Sequence, residues 1–313
     1  MVTHTELESC AERIFHPFVT DPPDAEACME NVYQALSGHS LLRPFCAQCF
    51  DVETERKVLA SGDLRSKPLH EFSPIYYEHP NCSVGADGFF HFLPRAIDTF
   101  DPDGGDAAMI ILEKPLQCGL YALPEAEQIA LRLLFARATI GWFRQRTPRP
   151  FGGAYGRECP RPLWRDDEIE AILIHGLVHL RVRPASVFIW LKELNNEWAW
   201  MFACRVIAQC HGGGFQPDFI EPEVYYAVAK DDEAGFRAMA KALGRIARSD
   251  FFAAIGKDDL ALAWETVGMQ DQSLYDAFHY ADGLYDAVKF TQTMDERLSD
   301  ITTIETVVAR IQP

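Results

Sequence analysis

The chain is poor in positive charge. Its 313 residues hold 29 Lys and Arg against 46 Asp and Glu, which gives a formal net charge of -17. A surface of this sign repels the phosphate backbone of nucleic acids and the anionic headgroups of membranes. We therefore expect neither nucleic acid nor a membrane as a partner. The same acidity would favour a basic partner protein.

The sequence also lacks a long apolar run and a start typical of exported proteins. Apolar stretches such as AILIHGLVHL (171–180) carry histidines, whereas a membrane helix needs roughly 20 mainly apolar residues. The first residues, MVTHTELESCAERIF, lack the basic start and apolar core of a signal peptide. Nine cysteines without such a signal favour a reducing compartment over a disulfide framework. We expect a cytoplasmic protein.

Complete catalytic signatures are missing as well. The sequence has no G-x-S-x-G turn, and its glycine-rich stretch HGGGFQPD (211–218) lacks the Lys-Ser/Thr of a phosphate-binding loop. His175 and His179 have the spacing of a zinc-protease helix, but Gly176 occupies the place of the catalytic glutamate. We therefore predict that both histidines lie on solvated faces of their helix and bind no metal.

What is present is helical periodicity. The segment AEACMENVYQAL follows Asp24 and ends at Gly38, and DVETERKVLA (51–60) is predicted to form a short charged helix. The clearest helix runs from Pro124 to about Arg146, with glutamates at its start and arginines near its end, as the helix dipole favours. These patterns predict a mostly α, multi-helical protein whose C-terminal half is a stacked helical array.

Proline and glycine mark the predicted boundaries. The stretch RTPRPFGGAYGRECPRPLW (146–164) divides the chain into a helical domain (1–146), a linker (147–165) and a helical array domain (166–313). Residues 65–88 are predicted to be irregular, and Pro94 is predicted at the first turn of a helix, where its missing N–H costs nothing.

The stretch PFCAQCF places two cysteines, Cys46 and Cys49, at C-x-x-C spacing between aromatic residues. We expect two structural thiols packed among Phe45, Phe50 and Leu41, because free cysteine behaves as a small hydrophobic residue. A redox pair is a weaker alternative, since no strand precedes the motif as it does in thioredoxin-like proteins.

Zinc is the other alternative for this pair. His79 and Cys82, in HPNC, offer a second ligand pair, and zinc prefers four sulfur or nitrogen ligands in a closed tetrahedron. His91 is a competing ligand. The candidate metal ligands are therefore Cys46, Cys49, His79, Cys82 and His91, and zinc is the cofactor they would hold.

One tryptophan-rich stretch, WLKELNNEWAWMF (190–202), has large apolar residues at helical spacing. This spacing usually indicates a core-facing helix. Exposed, the same residues would form an aromatic patch suited to a partner protein, so Trp190 and Trp198 are candidate partner-binding residues.

Three segments together resemble a family of bacterial proteins with a C-x-x-C turn, a D-D-F-x-H-F-L-P-R segment and a P-E-x-E-Q-x-A-L helix. They are the Cys46/Cys49 pair, DGFFHFLPR (87–95) and PEAEQIAL (124–131). In this chain Gly88 replaces a second acidic residue and Phe90 a polar one. The resemblance covers about residues 31–146. It implies a helical fold and no particular reaction.

These observations favour a non-enzymatic, cytoplasmic, helical protein that works by binding another protein. The alternative is a metal-dependent or small-molecule enzyme with a site near Cys46, Cys49 and His91. A narrower version of the first interpretation is an immunity-type protein that neutralises a basic toxin, and it rests on charge alone.

Overall fold

The structure is a computed structural model that describes residues 11–41, 45–78, 82, 85–99, 118–145 and 176–194, together with 243, 246, 247, 250, 251 and 253–255. Of this part of the chain 71% is helical, and it contains no strands or sheet. The prediction of a mostly α, multi-helical protein is confirmed. The predicted linker, and almost all of the predicted C-terminal array, lie outside the described residues.

The helices of the described part are numbered in chain order. They are α1 (Ala25–Ala35), α2 (Val52–Leu59), α3 (Leu69–Phe72), α4 (Pro74–Tyr77), α5 (Gly85–Asp98), α6 (Glu125–Gln145) and α7 (Pro184–Leu194). Short 3₁₀ turns occupy Leu36–Gly38, Leu64–Ser66 and Leu120–Ala122. Helices α1, α2 and α6 match the predicted segments. The run SVFIWL (186–191), which also resembles a strand, is part of α7.

Local capping explains where α1 and α2 begin. The carboxylate of Asp24 accepts a hydrogen bond from the N–H of Ala27 (2.8 Å), and that of Asp51 accepts one from Thr54 (2.7 Å). Each bond satisfies a backbone donor that has no partner within the first turn of the helix.

Helix α5 corrects two predictions. It begins at Gly85, within the stretch predicted to be irregular, and Pro94 lies inside it rather than in its first turn. A proline inside a helix costs about 3 kcal/mol. Burying a phenylalanine contributes about 1.5–3 kcal/mol, and Phe89, Phe90 and Phe92 are all at most 1% exposed. Burial of the aromatic residues therefore outweighs the cost of the proline.

The segment 176–194 packs into the same hydrophobic cluster as the described residues between 11 and 145. Within it, Trp190 is only 6% exposed, and its ring lies 5.0 Å from that of Phe18 and 6.1 Å from that of Phe143. Trp190 is thus a core residue and is not available for a partner-binding patch. Trp198 lies outside the described residues.

His179 also differs from its prediction. It is 1% exposed, with its ring 6.3 Å from that of Tyr121, whereas we predicted a solvated position. A helical wheel considers one helix by itself, and here neighbouring elements cover the flank of that helix as well as its apolar face. His175 lies outside the described residues.

The chain around His16 is held against the turn that precedes α7. The N–H of His16 donates to the carbonyl of Arg181 (2.7 Å), and the N–H of Arg183 donates to the carbonyl of His16 (2.8 Å). These bonds form an isolated parallel bridge between His16 and Val182. Two distant parts of the sequence are thereby joined through their backbones.

Two buried arginines meet at one carboxylate beside this bridge. Arg132 and Arg181, 7% and 6% exposed, each form an ion pair with Glu125. Arg181 also donates from Nε to the side-chain oxygen of Gln128 (2.9 Å). Partial burial acts to raise the pKa of Glu125, but the hydrogen bond from Arg132 and the charges of both arginines hold it below its ordinary value. The cluster joins α6 to the segment 176–194.

Within the described residues, no helix is both long and apolar enough to cross a membrane.

Glu125→Gln should lower the free energy of unfolding at pH 7 by about 2 kcal/mol, as for hydrogen bonds to charged groups. The loss is smaller than for a fully buried pair, because Glu125 is 42% exposed. The lowered pKa means that this stability is present above the ordinary glutamate pKa and is lost as the pH falls through the folded value. Urea denaturation of both proteins between pH 7 and pH 3 should therefore show a difference that shrinks on acidification.

Glu53→Gln is the matched control. Glu53 forms an exposed i,i+4 pair with Lys57, so its replacement should change stability little at either pH. A difference between wild type and Glu125→Gln that grew as the pH fell would contradict the role given to Glu125.

Candidate metal centre

The C-x-x-C motif forms a tight turn between α1 and α2. Residues 47–49 make the turn, and the N–H groups of Cys49 and Phe50 donate to the carbonyl of Cys46 (3.1 and 3.0 Å). The rings of Phe45 and Phe50 meet edge to face at 4.8 Å, and both are 7% exposed. These two rings anchor the turn in the core, while the residues between them reach the surface.

Cys82, which precedes α5, lies against this turn. Its carbonyl accepts a hydrogen bond from the N–H of Cys46 (2.7 Å). The sulfur atoms of Cys46, Cys49 and Cys82 all lie within 4.8 Å of one another. Three of the five candidate metal ligands thus come together from two separate parts of the chain.

The three thiols are not core residues. Cys49 is exposed, and Cys46 and Cys82 are half-buried. The expectation that the C-x-x-C thiols are packed as small hydrophobic groups is therefore wrong for Cys49. The groups of this turn that pack in the core are instead the aromatic rings of Phe45 and Phe50.

Backbone N–H groups favour the thiolate form of Cys46, whereas the neighbouring thiols disfavour a second thiolate at Cys49. The N–H groups of Gln48 and Cys49 donate to the sulfur of Cys46 and lower its pKa. The pKa of Cys49 is raised to about 12, first by its hydrogen bond with the thiol of Cys82 and then by desolvation and the Cys46 thiol. Negative charges so close together repel one another, and a divalent cation between them would remove that obstacle.

The donor set fits zinc. Thiolates are preferred zinc ligands, and a Zn–S distance of about 2.3 Å places the sulfurs of a tetrahedral site about 3.8 Å apart. Three sulfurs within 4.8 Å of one another can reach that geometry through small side-chain rotations. A fourth ligand would complete the site. His79 lies outside the described residues.

His91 is not a member of the thiol group. Its Nδ1 lies 2.9 Å from the carbonyl oxygen of His39, and its ring packs edge to face on Phe92 at 5.0 Å. The structure therefore gives His91 a role in holding the chain after α1 against α5.

His39 is the polar residue that sequence reasoning missed. Its Nδ1 lies 3.1 Å from a carboxylate oxygen of Asp87 on α5, and its Nε2 lies 2.9 Å from one of Glu127 on α6. Both ring nitrogens are thus engaged, and the two carboxylates lie on opposite sides of the ring. The signal that could have found this contact is the resemblance itself, because Asp87, His91 and Glu127 all belong to its motifs.

Comparison of the chain with protein-family models, with curated proteins and with solved structures finds no match. The argument for function consequently rests on the geometry of the chain's own residues.

His39→Ala should lower the free energy of unfolding by about 1–3 kcal/mol, because it leaves Glu127, whose side chain is only 14% exposed, without this partner. Asp87→Asn is the control: the Asp87 side chain is 61% exposed, so water replaces the lost interaction and the change should stay within about 0.5 kcal/mol. Urea denaturation at pH 7 measures both. If the free energy of unfolding falls equally in the two variants, the contact between His39 and Glu127 does not contribute to stability.

Proposed function

We propose that the protein binds one zinc ion through the thiolates of Cys46, Cys49 and Cys82. The observation that carries this proposal is the convergence of the three sulfur atoms within 4.8 Å of one another. Two of them come from a turn between two helices, and the third lies three residues ahead of another helix. Zinc bound there would hold the C-x-x-C turn against the start of α5, and its binding energy would contribute directly to folding.

His79 is the fourth ligand that the sequence spacing favours. It precedes Cys82 by three residues, a separation the chain can span in at most about 10 Å. A histidine and a cysteine at this spacing form a ligand pair of the kind found in structural zinc sites. His91 is less suited, because it does not belong to the group of potential ligands that the three sulfurs form.

The function we propose for the whole chain is binding to another protein in the cytoplasm, without catalysis. A reducing compartment keeps the cysteines as thiols that can bind zinc. Four closed ligands would leave no open position for a substrate, as is usual in structural rather than catalytic zinc sites. The charge of -17 favours a basic partner.

The metal proposal is tested on protein purified without a histidine tag. Elemental analysis should give about one equivalent of zinc, lost in Cys46→Ser, Cys49→Ser and Cys82→Ser because each removes a thiolate ligand. His79→Ala should weaken zinc binding, and His91→Ala should retain the metal. Removal of zinc by a chelator should lower the melting temperature of the wild-type protein and of variants that retain zinc, and should leave that of the three Cys→Ser variants unchanged.

Cys28→Ala is the matched control, because Cys28 is buried in α1 and does not belong to the thiol group. It should keep its zinc even if it is less stable. Protein without zinc after purification and after refolding with zinc would overturn the proposal. Loss of zinc in His91→Ala and not in His79→Ala would show that His91, and not His79, is the fourth ligand.

Binding to a basic protein has its own test. Purified proteins encoded by neighbouring genes can be mixed with this chain, and complex formation followed by size-exclusion chromatography. A partner held by charge should bind less tightly as the salt concentration rises from about 0.05 to 0.5 M, because screening shortens the range of the interaction. If the affinity does not depend on the salt concentration, the partner is not recognised by its charge.

A further inference from the structure

An open cleft with a volume of about 280 Å³ lies beside the ion-pair cluster of Glu125. Helix α6 forms one side of it, and the chain around His16 and Val182 forms the other. This volume lies just below the range of about 300–1,000 Å³ that is typical of small-molecule sites, so the cleft suits a small ligand. The cleft lies away from the thiol group: its described lining includes none of the three cysteines.

The walls of the cleft are mostly apolar. Among the described residues, Val19, Ile129, Leu133 and Val182 all contribute to them. Val19 and Ile129 are 38% and 46% exposed and are among the large hydrophobic side chains that remain exposed in this part of the chain. A ligand that covered them would gain about 25 cal/mol for each Å² of apolar surface removed from water.

Arg132 supplies the polar side of the cleft, which it lines while being 7% exposed. The structure gives this arginine hydrogen bonds from Nη1 to the carbonyl of Leu180 (3.4 Å) and from Nη2 to Glu125. A guanidinium has five N–H groups, so donors remain for the oxygen atoms of a ligand.

A second basic side chain, His16, also lines the cleft, and its Nε2 lies 3.7 Å from Glu125. The pKa of His16 is lowered first by burial and then by the charges of Arg132 and Arg181, against the opposite effect of Glu125. The charge of Arg132 therefore acts on the groups that line the cleft with it.

The backbone at Arg181 ends the helical turn that precedes Val182. Arg181 has a φ of 61°, in the left-handed region that often closes a helix. Its N–H donates to the carbonyl of Val178 (2.9 Å), and the N–H of Val182 donates to that of Leu177 (2.8 Å), as in a Schellman motif. The turn places the Arg181 side chain against Gln128 and Glu125, beside the cleft.

We propose that this cleft binds a small aliphatic carboxylate. The carboxylate group would accept hydrogen bonds from Arg132 and lie near His16, and the hydrocarbon chain would cover Val19 and Ile129. Arginine suits this task because its fork of N–H groups matches a carboxylate in geometry and charge. The apolar walls favour such a ligand over inorganic phosphate, which would leave them exposed to water.

Hexanoate is the probe. Hexanoate is titrated into the purified full-length protein at pH 7, and binding is followed by NMR. It should shift the imidazole signals of His16 in a saturable way. It should also raise the pKa of His16, because an added anion stabilises the imidazolium. Hexylammonium, which has the same hydrocarbon chain and the opposite charge, should produce no saturable shift. Inorganic phosphate should bind more weakly than hexanoate.

Ile129→Asp is the variant that tests the site without touching the buried ion pairs. It places a negative charge at the mouth of the cleft and should weaken hexanoate binding by about tenfold. Ile189→Asp is its matched control, because Ile189 is similarly exposed (51%), on α7, and does not line the cleft. It should bind hexanoate within about twofold of the wild type, since exposed substitutions away from a site have small effects.

Arg132→Gln tests the charge itself. This variant, checked for folding by its circular dichroism and melting temperature, should no longer distinguish hexanoate from hexanol. If it does not fold, the comparison of the two aspartate variants decides alone. Any of three results would overturn the proposal. The first is an equal NMR response of His16 to hexanoate and hexylammonium, and the second is an equal loss of hexanoate affinity in the two aspartate variants. The third is the absence of a saturable shift with hexanoate.

Discussion

Burial of the aromatic face of α5 is the constraint on which the described part of the molecule depends. Phe89, Phe90 and Phe92 are buried in the core, on a helix that begins at Gly85 and continues through Pro94. That placement bears on what lies around the helix. Cys82, three residues ahead of it, lies at the C-x-x-C turn, and polar residues of α5 reach the loop that follows α1.

The second organising feature is the distribution of charge. The chain carries a large negative charge, yet it buries two arginines, Arg132 and Arg181, around the half-exposed Glu125. Buried charges need partners, because an unpaired one loses its solvation without compensation. The arrangement ties α6 to the segment before α7, and it places Arg132 beside an apolar cleft. The cluster of Glu125, Arg132 and Arg181 thus holds two parts of the chain together and also contributes Arg132 to the anion site that we propose.

Part of the candidate site could be predicted from sequence, and the reasons differ by residue. Cys46, Cys49 and Cys82 were predicted from ligand spacing, which reflects how a turn presents side chains to one ion. Spacing could not exclude His91, because its position relative to the thiol group depends on how α5 packs against distant parts of the chain. Nor could periodicity decide the exposure of Trp190, since a helix pattern defines a face and the packing of distant residues decides what covers it.

The sequence by itself determined the helices whose causes are local. Asp24 and Asp51 cap α1 and α2, and α6 has glutamates in its first turn and Arg144 in its last, as the helix dipole favours. The tertiary structure alone decided that Pro94 lies within a helix and that His179 is buried. It also decided that three thiols meet from two parts of the chain. These outcomes depend on which surfaces remove each other from water, and that free energy involves contacts between residues far apart in sequence, which no local pattern contains.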